Sequence, residues 1–307
     1  MNEPNSHFRF FLAFAFAGAL VGALSYIPRV AEIPARADAL AQTISVATAV
    51  NQAASPFAEI ELGARAAFVF DVSTGKTLFD KNASAQLPLA SLTKIITSVT
   101  ALTLAPNYAL VPFNNERWSI KDLLSFSLTA SSNDGVSAAA AIAGSFVSHG
   151  ETDAENRVWF IKEMNKEAHK AGLSASYFLN ETGLDESMEL AGGYGSARDA
   201  ARLIAYTYQI HPELFGATTQ SESVFTEENG NEHEAYNTNK IVAEIPMLRA
   251  SKTGFTDLAG GNLAVVFDAG IGKPIAVSVL GSTEDGRFED VKNLVDTTLR
   301  FLQRNDL

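Results

Sequence analysis

Three short motifs hold residues able to do chemistry together. Ser91-Leu92-Thr93-Lys94 sets a hydroxyl and an amine three positions apart at the head of an apolar run, Ile95–Leu102. That run predicts a buried helix, and on a helix positions i and i+3 share a face. A serine hydroxyl is a weak nucleophile until an adjacent base takes its proton. An amine can be that base only where burial or a second cation depresses its pKa. Ser131-Ser132-Asn133 and then Lys252-Thr253-Gly254 follow in order. About one Ser-x-x-Lys match is expected by chance in a chain of this length, and a Lys-Thr-Gly triplet in roughly one chain in fifteen. The ordered set therefore carries the signal. A second match, Ser73-Thr74-Gly75-Lys76, lies between two strand-like runs, Ala66–Phe70 and Lys76–Phe79, with Gly75 as the turn. It reads as a hairpin, in which the two side chains do not stack. Gly75-Lys76-Thr77 also imitates the end of a phosphate-binding loop, but Phe70 stands where the first glycine belongs.

Composition bounds the alternatives. The chain has 307 residues and a net charge of −12, and it shows no basic patch or Lys/Arg run, so nucleic acid is not an expected partner. Absence of cysteine excludes disulfides and thiolate metal sites. His7, His149, His169, His211 and His233 are scattered without metal-ligand spacing, and Asn237 stands where a zincin pattern beginning at His233 needs its second histidine. No metal and no cofactor are expected.

The elements that must position the motifs follow from the pattern along the chain. Phe10–Ile27 is apolar apart from Ser25 and just reaches membrane-spanning length; it is read as an uncleaved anchor within residues 1–30, a cleaved signal being the alternative. Residues 31–58 read as a linker, and residues 59–305 as one catalytic domain. Ser119 caps a helix beginning at Ile120, a loop carries Ser131 to Asn133, and Asp134–Phe146 reads as a buried helix. Glu155–Ala171 is amphipathic, with Trp159, Ile161, Met164 and Ala168 available to one face. Gly192–Gly195 reads as a loop, and Ser196 caps a helix running to about Gln209. Asn229-Gly230 marks a hairpin between Ser223–Glu227 and Glu232–Tyr236. Asn262–Asp268 and Ile275–Leu280 are apolar strands, and Glu284–Leu302 is a closing helix. Strands at both ends with helices between predict an α+β fold: an antiparallel sheet built from both chain ends plus a helical region holding Ser131 and Asn133.

The ordered motifs match the signature of class A β-lactamases and penicillin-binding proteins, with Ser132 where a class A enzyme has aspartate. The likeness goes further. Ala67–Asp71, Thr74-Gly75-Lys76, Asp80–Ala83, Leu87–Ala90, Met164-Asn165, Asn180–Leu184, Ala197-Arg198-Asp199, Asn237-Thr238-Asn239 and Lys252–Thr256 resemble patterns of the serine D-alanyl-D-alanine carboxypeptidases, the low-molecular-mass penicillin-binding proteins. The match runs in order from about residue 60 to 300. The chain departs from the family in a short segment between Ser91 and Ser131, and in Glu181, where the family often has proline.

The resemblance implies an α/β sandwich of the β-lactamase type and a mechanism. Ser91 would attack the carbonyl between two D-alanines of a peptidoglycan stem peptide, with Lys94 as base. Lys94 and Ser131 would return the proton to the leaving D-alanine. Lys252 and Thr253 would face the substrate carboxylate, Lys252 also depressing the pKa of Lys94, and Asn133 would bond the substrate amide. The N–H groups of Ser91 and Phe255 would form the oxyanion hole, and Gly254 would let a substrate strand lie close. β-Lactams would be inhibitors, and the catalytic domain would sit outside the cytoplasm, held by the anchor. Other readings stay open: Ser91 as a plain helix cap, a D,D-endopeptidase, a catalytically dead peptidoglycan-binding protein, or a β-lactamase using Glu181, Glu186 or Glu189. Arg198-Asp199 reads as an ordinary helix-start pair.

Overall fold

The computed structural model describes residues 55–148, 150 and 152–305. The expected anchor at Phe10–Ile27 lies outside the described residues. Among the described residues no helix is long and apolar enough to cross a membrane.

Strands β1 (Ala66–Asp71) and β2 (Thr77–Lys81) form the opening hairpin. Its turn leaves Ser73 and Lys76 exposed, with the Ser73 and Thr74 amides bonded to the Asp71 carboxylate. Then come β3 (Leu87–Pro88), α1 (Thr93–Leu104), β4 (Leu110–Phe113), β5 (Glu116–Ser119), α2 (Ile120–Ala130), α3 (Asn133–Ser145) and α4 (Asp153–Lys170). The second half holds β6 (Tyr177–Phe178), β7 (Gly193–Gly195), α5 (Ala197–Ile210), β8 (Glu222–Thr226), β9 (Glu232–Tyr236), β10 (Leu248–Thr256), β11 (Gly260–Asp268), β12 (Pro274–Ser282) and α6 (Gly286–Asn305).

The main sheet has the order β10-β11-β12-β1-β2 and is antiparallel throughout, so the two ends of the described chain meet where β1 pairs with β12. Side chains alternate across it with period two. Phe68, Phe70, Ala276 and Leu280 join the core shared with the helices α1, α2, α3 and α5, while Ala67, Val69, Val277 and Val279 pack under Val291, Leu294 and Val295 of α6. Both faces are covered. That is why the inner strands are apolar at nearly every position and not at alternate ones.

Helix α1 is buried from Thr93 to Leu102. Short polar side chains within it bond back to the helix, Thr97 Oγ1 donating to the Thr93 carbonyl and Ser98 Oγ to that of Lys94, so α1 needs no solvent face and is enclosed by α2, α3, α4 and α5. Ser119 caps α2 by accepting from the Asp122 amide, and Ser196 caps α5 through Asp199.

Some expectations are corrected. Gly193–Gly195 is a strand, paired with Leu87–Pro88 on one side and Tyr177–Phe178 on the other; strands this short carry no periodic signal. Asn133 is not a loop residue, because Ser132 caps α3 and Asn133 is its first residue. On α4 the inward positions are Phe160, Met164 and Ala168, and Trp159 is exposed. The run Val158-Trp159-Phe160-Ile161 offers apolar groups to every side, and the periodicity there does not single out a face.

Candidate active site

Ser91 lies on a single 3-10 turn, Ala90–Leu92, leading into α1. Ala90 before it sits at φ 47°, in the left-handed region, which costs an alanine about 1–2 kcal/mol. Neither Leu89 nor Leu92, at the starts of the turn and of α1, makes a side-chain cap. Ser91 is thus not the helix cap of the plain reading. Its Oγ accepts instead from Lys94 Nζ at 2.9 Å.

Lys94 is fully buried. Its Nζ also donates to Asn133 Oδ1 at 2.6 Å and to the Thr182 carbonyl at 2.9 Å. Three acceptors match the three N–H bonds of an ammonium. Burial lowers its pKa to about 7, and the Glu181 carboxylate acts in the opposite direction. An amine so placed can hold or release a proton near neutrality, beside a hydroxyl that needs a base.

A second serine–lysine pair lies alongside. Ser131 closes α2 in the left-handed conformation, φ 58°, and its Oγ accepts from Lys252 Nζ at 2.9 Å. Lys252 is buried on β10 and also donates to the Thr253 carbonyl at 2.9 Å. Burial, then the nearby Lys94 and Arg287 charges, holds Lys252 well below the ordinary amine range. Burial is the largest cause at both amines, and the charges of the two repel each other. Thr253 Oγ1 lies 2.6 Å from Thr238 Oγ1, and Phe255 is partly exposed.

Two glycines bring these segments together. A Cβ at Gly254 would lie 2.8 Å from the Leu89 carbonyl oxygen and 3.2 Å from the Ser91 nitrogen. What approaches Gly254 is the protein's own turn, which seats Ser91 against β10. Gly183, at φ +80°, packs still closer: its Cβ would fall 1.9 Å from the Ala90 carbonyl oxygen.

The candidate residues Ser91, Lys94, Ser131, Asn133, Lys252, Thr253, Gly254 and Phe255 thus come from the Ala90–Leu92 turn, α1, the α2–α3 junction and β10, and converge. Of the glutamates weighed for deacylation, two are engaged elsewhere, Glu181 Oε1 accepting from Ser137 Oγ at 2.6 Å and Glu186 from Asn180 at 2.5 Å, and Glu189 is exposed. Arg198 pairs with Asp80, and Asp199 accepts from Ala175 N and Ser176 Oγ, both structural contacts. Sequence reasoning missed Arg287, whose Nη1 donates to the Gly254 carbonyl at 2.8 Å, and the Thr182 carbonyl. Arg287 belongs to none of the motifs and is one of four cations in the closing helix, with Lys292, Arg300 and Arg304, and a backbone acceptor has no signature.

The family model of D-alanyl-D-alanine carboxypeptidases, peptidase family S11, matches residues 49–110 and 100–283. The chain belongs to this family. It is 28% identical over 258 residues to the D-alanyl-D-alanine carboxypeptidase DacF of Bacillus subtilis, covering 78% of this chain and 62% of that protein. It is 30% identical over 241 residues to a D-alanyl-D-alanine endopeptidase of Pseudomonas aeruginosa, covering 71% of this chain and 73% of that one. The chain therefore spans less than two thirds of the length of the first relative. Among solved structures, penicillin-binding protein D2 of Listeria monocytogenes, crystallised with ampicillin bound, aligns with a TM-score of 0.64 at 29% identity, over 78% of this chain and 98% of that one. The Streptomyces K15 DD-transpeptidase, at 20% identity and a TM-score of 0.69 over 79% of this chain and 100% of that one, shares the fold. The expected α+β, DD-peptidase-like architecture is thereby borne out.

Gly183→Ala is expected to cost roughly 2–4 kcal/mol, through the left-handed backbone and the collision with Ala90. Gly216→Ala, where a Cβ meets nothing within 4 Å, is expected to stay within about 0.5 kcal/mol. Urea denaturation of the two variants measures the difference.

Proposed function

We propose that the chain is a serine D-alanyl-D-alanine carboxypeptidase acting on peptidoglycan stem peptides. The observation that supports this best is the 2.9 Å contact between Ser91 Oγ and a buried Lys94 Nζ whose pKa lies at about 7. Ser91 Oγ attacks the carbonyl between two D-alanines while its proton passes to Lys94. The N–H groups of Ser91 and Phe255 donate to the oxyanion; losing one such donor costs about 3–4 kcal/mol in comparable sites. The C–N bond then breaks, and the leaving D-alanine nitrogen takes the proton from Lys94 through Ser131. Water hydrolyses the acyl-enzyme, giving its proton back to the same base and restoring Ser91. Asn133 bonds the substrate amide, while Lys252 and Thr253 meet the terminal carboxylate, an anion that favours the charged form of Lys252 against burial.

Endopeptidase action on cross-links is the second reading, favoured by the resemblance to the Pseudomonas enzyme. The apolar stretch Phe10–Ile27 would hold the domain at the outer face of the membrane, and cell fractionation with sequencing of the mature N-terminus checks this. A soluble product starting near Tyr26 would mean a cleaved signal.

Incubated with a defined pentapeptide and a cross-linked dimer, the protein is expected to release D-alanine from the pentapeptide faster than it cuts the dimer, as read by product mass. The reverse order makes it an endopeptidase, and no product from either points to a binding protein.

Penicillin is expected to leave an adduct on Ser91 that lasts minutes or longer, since the tethered leaving nitrogen obstructs water. Only neutral Lys94 can accept the proton, so acylation should be slow below pH 7, rise through about pH 7 and level off above it. Intact mass against time and pH measures both. Ser91→Ala should show no adduct and Ser73→Ala should label normally; rapid turnover of penicillin would indicate a β-lactamase.

A further inference from the structure

Glu181 is a buried carboxylate for which the proposed reaction has no use. Its side chain is 7% exposed and paired with Arg157 of α4 at 3.5 Å, and it accepts from Ser137 Oγ at 2.6 Å. Ser137 lies one turn beyond Asn133 on α3, and Asn133 holds Lys94. The backbone around Glu181 grips α1 as well: its own carbonyl accepts from Thr97 Oγ1 at 2.6 Å, and the next carbonyl, of Thr182, accepts from Lys94 Nζ. One dipeptide is thus fixed to α1 at Lys94 and one turn further on, while its side chain is fixed to α3 and α4. Arg157 and Ser137 leave the carboxylate no freedom to swing away.

The charges around Lys94 come from every side. Lys252 on β10 and, behind it, Arg287 on α6 add positive charge. Asp134 on α3 is exposed to water, and Asp185 is held by Thr256 at 3.0 Å. Glu181 is the carboxylate whose charge reaches Lys94. Buried in low dielectric, such a charge is screened far less than one at the surface.

We propose that Glu181, locked by Ser137 and Arg157, is a positioning residue that sets how tightly Lys94 holds its proton. It raises the proton affinity that burial lowers, and Arg157 tempers it. Its role in the reaction rests on the assignment of Lys94 as the base, but its effect on the amine does not. A purely structural salt bridge would fasten the loop and leave the amine's titration untouched.

The test follows the Lys94 side-chain resonance against pH in 13C-lysine-labelled full-length protein, assigned by its absence in Lys94→Arg. Glu181→Gln keeps the shape and the Ser137 contact but removes the charge. Its midpoint should fall by about half a pH unit or more, and Glu181→Asp should restore part of the loss. Arg157→Gln, at a half-exposed position that tolerates change, should move the midpoint the other way and carries the test if Glu181→Gln does not fold. The acid limb of penicillin acylation should move with each midpoint. Unmoved midpoints in a folded variant overturn the proposal, even where thermal stability falls. Midpoints that move in a protein whose Ser91 takes no penicillin uphold it and overturn the carboxypeptidase reading instead.

Discussion

Burying the amine of Lys94 constrains everything around it. An ammonium removed from water costs several kcal/mol unless its N–H bonds find acceptors. Here the acceptors are Ser91 Oγ, Asn133 Oδ1 and the Thr182 carbonyl, and they come from three separate segments. Ser91 is delivered by the strained turn at Ala90, Asn133 by the tight passage from α2 to α3, and Thr182 by a loop that fits only because Gly183 has no side chain. Failure of any one leaves a buried donor unsatisfied, at about 1–3 kcal/mol. The geometry of the candidate site and the local stability of the helical region are thus one set of contacts.

The same constraint explains the sheet's role. A second amine, Lys252, is buried beside the first and repelled by it. Two like charges can be kept close only by a frame that does not yield. β10 supplies it: the strand pairs with β11 along Leu248–Thr256, Arg287 of α6 fixes the Gly254 carbonyl, and the sheet behind is packed on both faces. A chain of net charge −12 thereby keeps two buried amines side by side, and in the proposed reaction a substrate carboxylate arriving there would favour the charged form of Lys252.

How much of this was legible in the sequence depends on the kind of contact. Ser91 and Lys94 were readable because helical spacing converts directly into adjacency. The hairpin at Ser73 was separable from them for the same reason, since a turn glycine abolishes that adjacency. An antiparallel sheet built from both ends of the domain followed from the apolar strands there, without its strand count. The grouping of Ser131, Asn133 and Lys252 was legible only through ordered motifs and a family likeness, because their approach is made across the fold. What stayed hidden were contacts of backbone atoms and isolated residues: the Thr182 carbonyl, the Arg287–Gly254 bond and the short β3-β7-β6 sheet, whose strands are too brief for period two to show. Gly254 was readable as a place of close approach, but not the protein segment that makes one. The space it leaves is taken by the turn carrying Ser91.

The setting of Lys94 is a balance between two opposing terms. Burial alone would set the proton affinity of the amine lower still, making it a weaker acceptor for the proton of a serine. A freely acting carboxylate beside it would keep it charged, with no lone pair to offer. General-base efficiency is greatest where the pKa lies near the working pH, and a value of about 7 leaves both forms populated there. In the proposed reaction the same amine must accept a proton from Ser91, surrender it to the leaving nitrogen and accept another from water. An amine poised far to either side would speed one of these transfers and impede the next. The carboxylate of Glu181 is turned toward Ser137 and Arg157, and with it so engaged the whole cycle falls to Lys94, for which an intermediate proton affinity is a requirement.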